Sequence, residues 1–306
     1  MKIIMYHYVR DFKNLKNKGI NGLDIKKFIS QIKYLKSKYN ILNPFEIHEI
    51  IKTKKYFKKN DCWLTFDDGY YDHYKYVYPI LNDFKINASF FPPVITTKQN
   101  DVLDVNKIHF ILAKCKKKVE ILKFIEKKYN FYKEDNFLDF KTILKKIKFK
   151  NRYDDNTTMY IKQLLQSLLP LNIRKKICDQ LFKKYVSNDT KSFAKRLYMN
   201  LSQIKELLKA GNEIGLHGYN HYWLGRLKKE EQIKEITNSV KFWKKNNVII
   251  NEFTMCYPYG NYNQDTLKIL RKNNCLIGLS TKVASVPLKN YKAYELPRFD
   301  TNDFPQ

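Results

Sequence analysis

Three short stretches hold the residues best suited to chemistry, and each follows an apolar run. The first, Leu64-Thr65-Phe66-Asp67-Asp68-Gly69-Tyr70, ends in two adjacent carboxylates and a turn glycine. Neighbours on a strand point apart, so one carboxylate is able to ligate a cation while the other stays available as a base. The other reading of this stretch is an Asp-rich turn that caps the next helix. The second, Gly215-Leu216-His217-Gly218-Tyr219-Asn220-His221, sets two of the six histidines four residues apart. On a helix they would share a face and reach one ion. Two histidines and an aspartate are the donor set of a catalytic zinc site that keeps positions open for water and substrate. Alone, such a pair is more often a surface feature of no consequence. The third, Met255-Cys256-Tyr257-Pro258-Tyr259-Gly260-Asn261, is a rigid aromatic turn whose backbone N–H groups are candidates for facing an oxyanion. An ordinary turn with packed tyrosines is its alternative.

Positioning these residues requires strands that end where the motifs begin. Apolar runs alternate with helical patterns at both ends of the chain, which predicts parallel strands joined by crossover helices. The expected strands are Lys2 to Val9, Cys62 to Phe66, Asn87 to Phe91, Glu213 to Leu216, Glu252 to Cys256 and Cys275 to Ser280. Helices are expected at Asp24 to Tyr39, Asp72 to Phe84, Lys228 to Lys245 and Gln264 to Asn273, with Gly211 closing another. In parallel folds the carboxyl ends of the strands form the ligand-binding mouth, where the two acids then lie. Between about Lys98 and Leu201 the pattern turns to lysine-rich helical periodicity without glycine. Its apolar residues are frequent enough for packed helices, so residues 98–201 are expected to be a helical insertion.

At 306 residues the chain suffices for one large α/β domain or two small ones without disulfide staples. A net charge of +28 raises the question of nucleic acid. Only seven of the 58 basic residues are Arg, however, and the guanidinium fork is what most often reads bases and phosphates. Joint abundance of Lys, Asn, Ile and Tyr points instead to drift in an A/T-rich coding sequence. An acidic glycan or a peripheral contact with an anionic membrane stays open. The five cysteines, Cys62, Cys115, Cys178, Cys256 and Cys275, form no C-x-x-C pair, which suggests a reducing compartment. No stretch approaches the ~20 apolar residues of a membrane span, and the start lacks a leader pattern. A soluble, cytoplasmic protein is expected.

Together the three motifs resemble the polysaccharide deacetylases, the NodB-homology group also called carbohydrate esterase family four. The likeness covers roughly residues 1–97 and 202–300. Thr65-Phe66-Asp67-Asp68-Gly69 is similar to that family's first motif, which implies Asp67 as catalytic base and Asp68 as metal ligand. His217-Gly218-Tyr219-Asn220-His221 is similar to the second, which implies both histidines as ligands, although Gly218 stands where Ser or Thr is usual. Cys256-Tyr257-Pro258-Tyr259-Gly260 is similar to the third and makes the Tyr259 N–H an oxyanion donor, but the family's Arg falls at Cys256. Arg298, in Leu296-Pro297-Arg298, is the candidate to hold the base instead, with a plain surface Arg as the alternative. The family's fourth motif and its C-terminal Leu-x-His motif are not recognisable after Tyr259. Ile4-Met5-Tyr6-His7 resembles that last motif moved to the front of the chain, as in permuted poly-N-acetylglucosamine deacetylases. His7 is then the acid that protonates the leaving amine; a histidine satisfied by backbone is the other possibility.

The resemblance implies one deacetylase domain over residues 1–306, an incomplete or distorted (β/α) barrel with the helical insertion inside it. It also implies a divalent metal, Zn2+ before others, on Asp68, His217 and His221. The expected reaction is de-N-acetylation of an amino sugar in a glycan or glycan precursor, for a bacterial surface polysaccharide. Tyr70, Tyr219 and Trp223 are candidates to stack on sugar rings, or else to fill the core. Two rivals rank below the enzyme: a catalytically degenerate carbohydrate-binding protein, suggested by Cys256, and a nucleic-acid binder using the lysine-rich insertion.

Overall fold

The computed structural model describes residues 1–13, 19–147 and 155–306. The chain divides into two compact units, one of Met1–Asn14, Gly22–Asp101 and Ala194–Gln306, the other of Leu15–Asn21 and Val102–Phe193.

The first unit is built on parallel strands: β1 (Lys2–Tyr6), β2 (Asp61–Asp67), β3 (Ser89–Phe91), β4 (Glu213–Ile214), β5 (Phe253–Cys256), β6 (Cys275–Leu279) and β7 (Phe299–Asp300). They run in the order β7-β1-β2-β3-β4, with Asn40–Ile41 also on β2, while β5 pairs with β6 separately. Single parallel bridges, Leu216 to Met255 and Leu279 to Leu296, connect the two sheets. The result is a distorted (β/α) barrel whose wall is thin at those two places. Strand β2 is buried along its whole length, as a strand covered on both faces must be. Alternation sorts it: Cys62, Leu64 and Phe66 join the larger core cluster, whereas Trp63 packs with Ile3, Phe91, Cys256 and Leu279. Tyr6, Phe66 and Phe90 stack across three adjacent strands at centroid distances of 4.8 and 5.0 Å. Asp67 has the Trp63 parity, and Asp68 leaves the strand.

Helix boundaries follow local chemistry. Ile25–Lys38 buries Phe28, Ile32 and Leu35 on one face and starts at Asp24, whose side chain accepts the Lys26 N–H. Pro44–Lys52 opens with proline after an Asn43–Glu46 capping box. Several edges differ from expectation. The first strand stops at Tyr6, and Val9–Arg10 pairs separately with Leu23–Asp24. Asp72 to Phe84 is no uniform helix: a wide turn at His73–Val77 precedes Tyr78–Asp83, because Pro79 has no N–H for the ladder.

The second unit is helical in its described residues, with Asp104–Lys114, Lys118–Tyr132 and Leu171–Tyr185 its longest elements. Ile108, Ile111, Ile121, Ile125, Ile177 and Leu181 are fully buried in it. Buried Lys107 donates from Nζ to Asp179 Oδ1 at 2.7 Å. No helix among the described residues is long and apolar enough to cross a membrane.

Candidate active site

Parallel strands place their carboxyl ends on one rim, and the sequence motifs fall there. Asp67 ends β2, Cys256 ends β5, His7 follows β1, and Arg298 precedes β7. Arg298 grips Asp67 with both arms: Nη1 donates to Oδ1 at 2.9 Å and Nη2 to Oδ2 at 2.8 Å. The guanidinium is itself fixed, since Nε donates to the Ser280 carbonyl and Nη1 to Thr65 Oγ1. Cys256, which stands where the resemblance expected Arg, donates its S–H to Asp67 Oδ2 at 3.3 Å and accepts from Arg298 Nη2 at 3.1 Å. Burial alone would raise the Asp67 carboxyl, but the Arg298 charge and hydrogen bonds overcome it and hold the group well below the usual carboxylate range. His7 Nε2 lies 3.9 Å from Asp67 Oδ2, and its side chain is 41% exposed, so it remains reachable from solvent. Its carbonyl, not its ring, is what the backbone region holds, through the His73 Nε2–H at 2.7 Å.

Asp68 turns away from its neighbour because its backbone is left-handed, with φ 71°, and Gly69 follows at φ 66°. A Cβ at Gly69 would come within 2.6 Å of Pro92 Cβ, so the turn admits no side chain there. Asp68 Oδ1 lies 3.5 Å from His217 Nε2 and 3.3 Å from His221 Nε2, and the two nitrogens are 3.1 Å apart. The histidines are not on a helix. Gly218 and His221 both take positive φ, and the loop curls so that the rings meet edge to face at 4.7 Å. Glu235 holds that curl, its Oε2 accepting the N–H groups of Tyr219 and Asn220. His217 Nδ1–H donates to the Cys256 carbonyl at 2.7 Å, which turns Nε2 toward Asp68 and His221.

These donors fit a cation. Asp68 Oδ1 is buried without a hydrogen bond, and one ring nitrogen of each histidine converges on it. Burial pushes His221 down to about 3, so its ring is a neutral ligand. Burial also works against a charge on His217, but Cys256 and the Asp68 carboxylate outweigh it and raise that group well above 6.5, so the pocket draws positive charge, which a cation on the same donors would supply.

Tyr259 sits in the turn Pro258–Gly260 with φ 57°. Its ring stacks on Trp223 at 4.4 Å and 10° and lies 4.8 Å from His221. The third motif is thus packed directly against the second.

The profile of the polysaccharide deacetylase family matches residues 54–109 and 170–276, more than half of the chain. The chain belongs to that family. YxkH of Bacillus subtilis (strain 168), named for the same family, is 30% identical over 93 residues, which are 30% of this chain and 33% of that protein. The aligned part thus spans only a third of this relative's length. Among solved structures, the Streptococcus pyogenes deacetylase PplD, in complex with acetate, aligns with a TM-score of 0.60 at 18% identity, over 98% of this chain and 91% of that one. IcaB from Ammonifex degensii gives 0.58 at 14%, with the same coverages. A de-N-acetylase from Aggregatibacter actinomycetemcomitans gives 0.54 at 15%, over 97% and 93%. At such identities the likeness concerns the fold alone.

For this deacetylase-family chain, sequence reasoning overlooked Glu235 and left Tyr70 two fates, sugar stacking or the core. Glu235 shares a buried helix face with Gln232, Ile236, Ser239 and Trp243, and polar residues at helical spacing on an apolar face were the available signal. Tyr70 is fully buried, so it stacks on no sugar. Its hydroxyl donates to Asp68 Oδ2 at 2.6 Å.

Proposed function

We propose that the protein removes the acetyl group from an N-acetylated amino sugar of a glycan or glycan precursor destined for a bacterial surface polysaccharide. Asp68, His217 and His221 would hold a divalent cation, Zn2+ before others. When bound, such a cation supplies a Lewis acid that polarises the acetyl oxygen and brings a water's pKa toward ~7. Asp67, kept ionised by Arg298, would be the base that takes a proton from the attacking water. A carboxylate held this low cannot deprotonate ordinary water of pKa ~15.7, so its assignment as base is coherent only beside the cation site. The Tyr259 N–H would donate to the oxyanion, and His7 Nε2 would return a proton to the departing amine. Exposure of His7 beside buried Asp67 suits the two ends of one proton path.

The observation that carries this reading is the convergence of three cation donors beside a separately clamped, ionised carboxylate. Five buried, unpaired cysteines are in keeping with a reducing compartment, which favours a cytoplasmic precursor over a finished polymer. A carbohydrate-binding protein without catalysis drew its support from Cys256, and the guanidinium supplied by Arg298 weakens that argument. The test is acetate release from N-acetylated sugars and glycan precursors, with and without chelator, alongside elemental analysis of wild type, His217→Ala and His221→Ala. Chelator-sensitive acetate release and metal lost in both variants are expected. Undiminished metal in both variants would sink the ligand assignment.

A further inference from the structure

We propose that Tyr70 is a positioning residue that makes Asp68 a one-oxygen ligand, by occupying Oδ2 so that only Oδ1 faces the cation; this rests on the metal-site reading above. The two oxygens of Asp68 have different surroundings. Oδ2 accepts the Tyr70 hydroxyl at 2.6 Å, a length typical of a donor to an ionised carboxylate. Oδ1 is buried, takes no hydrogen bond, and faces both histidine nitrogens. Carboxylates bind cations through one oxygen or both, and a hydroxyl bound tightly to one of them decides the mode.

Tyr70 is well placed to impose that choice, because its ring has no freedom. Tyr8 stacks on it at 4.1 Å and Tyr198 at 5.9 Å, and the Arg10 guanidinium lies 4.3 Å from the Tyr8 ring while pairing with Asp72 at 2.7 Å. The backbone is held as well: Gly69 accepts the Met199 N–H at 2.9 Å, and Tyr70 bridges to Tyr198. The hydroxyl therefore arrives at Oδ2 from a fixed direction. Without it, a buried carboxylate oxygen loses its donor and the group is free to turn.

Tyr70→Phe removes only the hydroxyl and keeps the stack. Zn2+ alone, titrated into metal-depleted protein against a competing chelator, should bind about 10- to 100-fold more weakly to this variant than to wild type. The metal-free melting temperatures report separately on folding. In an Asp68→Ala background, Tyr70→Phe should add no further loss, since its effect runs through Asp68. Equal Zn2+ affinity of Tyr70→Phe and wild type overturns the inference and leaves the metal site standing. An equal loss in the Asp68→Ala background also overturns it, because the damage is then to the fold. Wild-type Zn2+ binding that neither Asp68→Ala nor His217→Ala weakens overturns the metal reading and this inference with it.

Discussion

Arg298 supplies the positive charge that lets Asp67 stay ionised where solvent cannot reach it. Arg298→Met leaves that carboxylate buried and uncompensated, which should cost about 3–5 kcal/mol of stability at neutral pH. Denaturant melts check this, and Asp67→Asn added to Arg298→Met should recover part of the loss because no charge is left stranded. Lysine is a poor substitute, since one ammonium cannot engage both Asp67 oxygens along with Ser280 and Thr65. His7 is tested by leaving-group dependence. His7→Ala should retain fold and metal but lose about 10²–10⁴ in turnover on an unactivated acetamide. A substrate whose leaving group needs no protonation should suffer far less, and equal rates of variant and wild type on the amide would place the acid elsewhere.

The elements aim these residues through turns that tolerate little change. Gly69 combines positive φ with the approach of Pro92, so Gly69→Ala should destabilise by at least the ~1–2 kcal/mol of a left-handed alanine. It should also displace Asp68, lowering Zn2+ affinity together with the melting temperature. Glu235 works at longer range, reaching from the Lys229–Lys245 helix to hold the loop between the two histidines. Burial raises its carboxyl above the ordinary range, while the N–H groups of Asn220 and Tyr219 work against that rise. Glu235→Leu should leave those donors unsatisfied and cost about 1–3 kcal/mol, with metal affinity falling in parallel.

Across the whole barrel, polar side chains continue inside the strands below the site. Glu213 accepts from His48 at 2.9 Å and from Ser89 at 2.6 Å, and Ser89 in turn accepts from Trp63. Burial works against both charges of the His48–Glu213 pair, but their attraction prevails, raising His48 from 6.5 and lowering Glu213 from 4.5. Stability from the raised histidine is full below its unfolded pKa and is lost as pH climbs through the folded one. Stability from the depressed glutamate is full above its unfolded pKa and is lost as pH falls through the folded one. The pair therefore contributes most between 4.5 and 6.5. The stability advantage of wild type over His48→Gln should shrink as pH rises above 6.5 in denaturant melts. A constant advantage over that range would show that His48 carries no folded-state charge.

The chemistry-bearing residues and the strands that end in them were legible because both are local: an apolar run with alternating parity points Asp67 inward, and a turn glycine follows. The parallel α/β class was legible for the same reason, from short apolar runs alternating with helical patterns. Local pattern left the His217–His221 segment open, since four-residue spacing joins the pair only on a helix, whereas Gly218 and a positive φ at His221 bring the rings together in a curled loop. The contact of Arg298 with Asp67 spans 231 positions, and that of His7 with Asp67 crosses from β1 to β2. Such meetings depend on strand order and register, which bring distant residues to one rim. Only the folded chain decided that Cys256 would touch both Arg298 and Asp67, or that the Tyr70 hydroxyl would take one oxygen of Asp68 and leave the other to the histidines. Periodicity constrains neighbours within a turn or a strand, whereas which side chain closes on a given oxygen is set by the packing of the whole barrel.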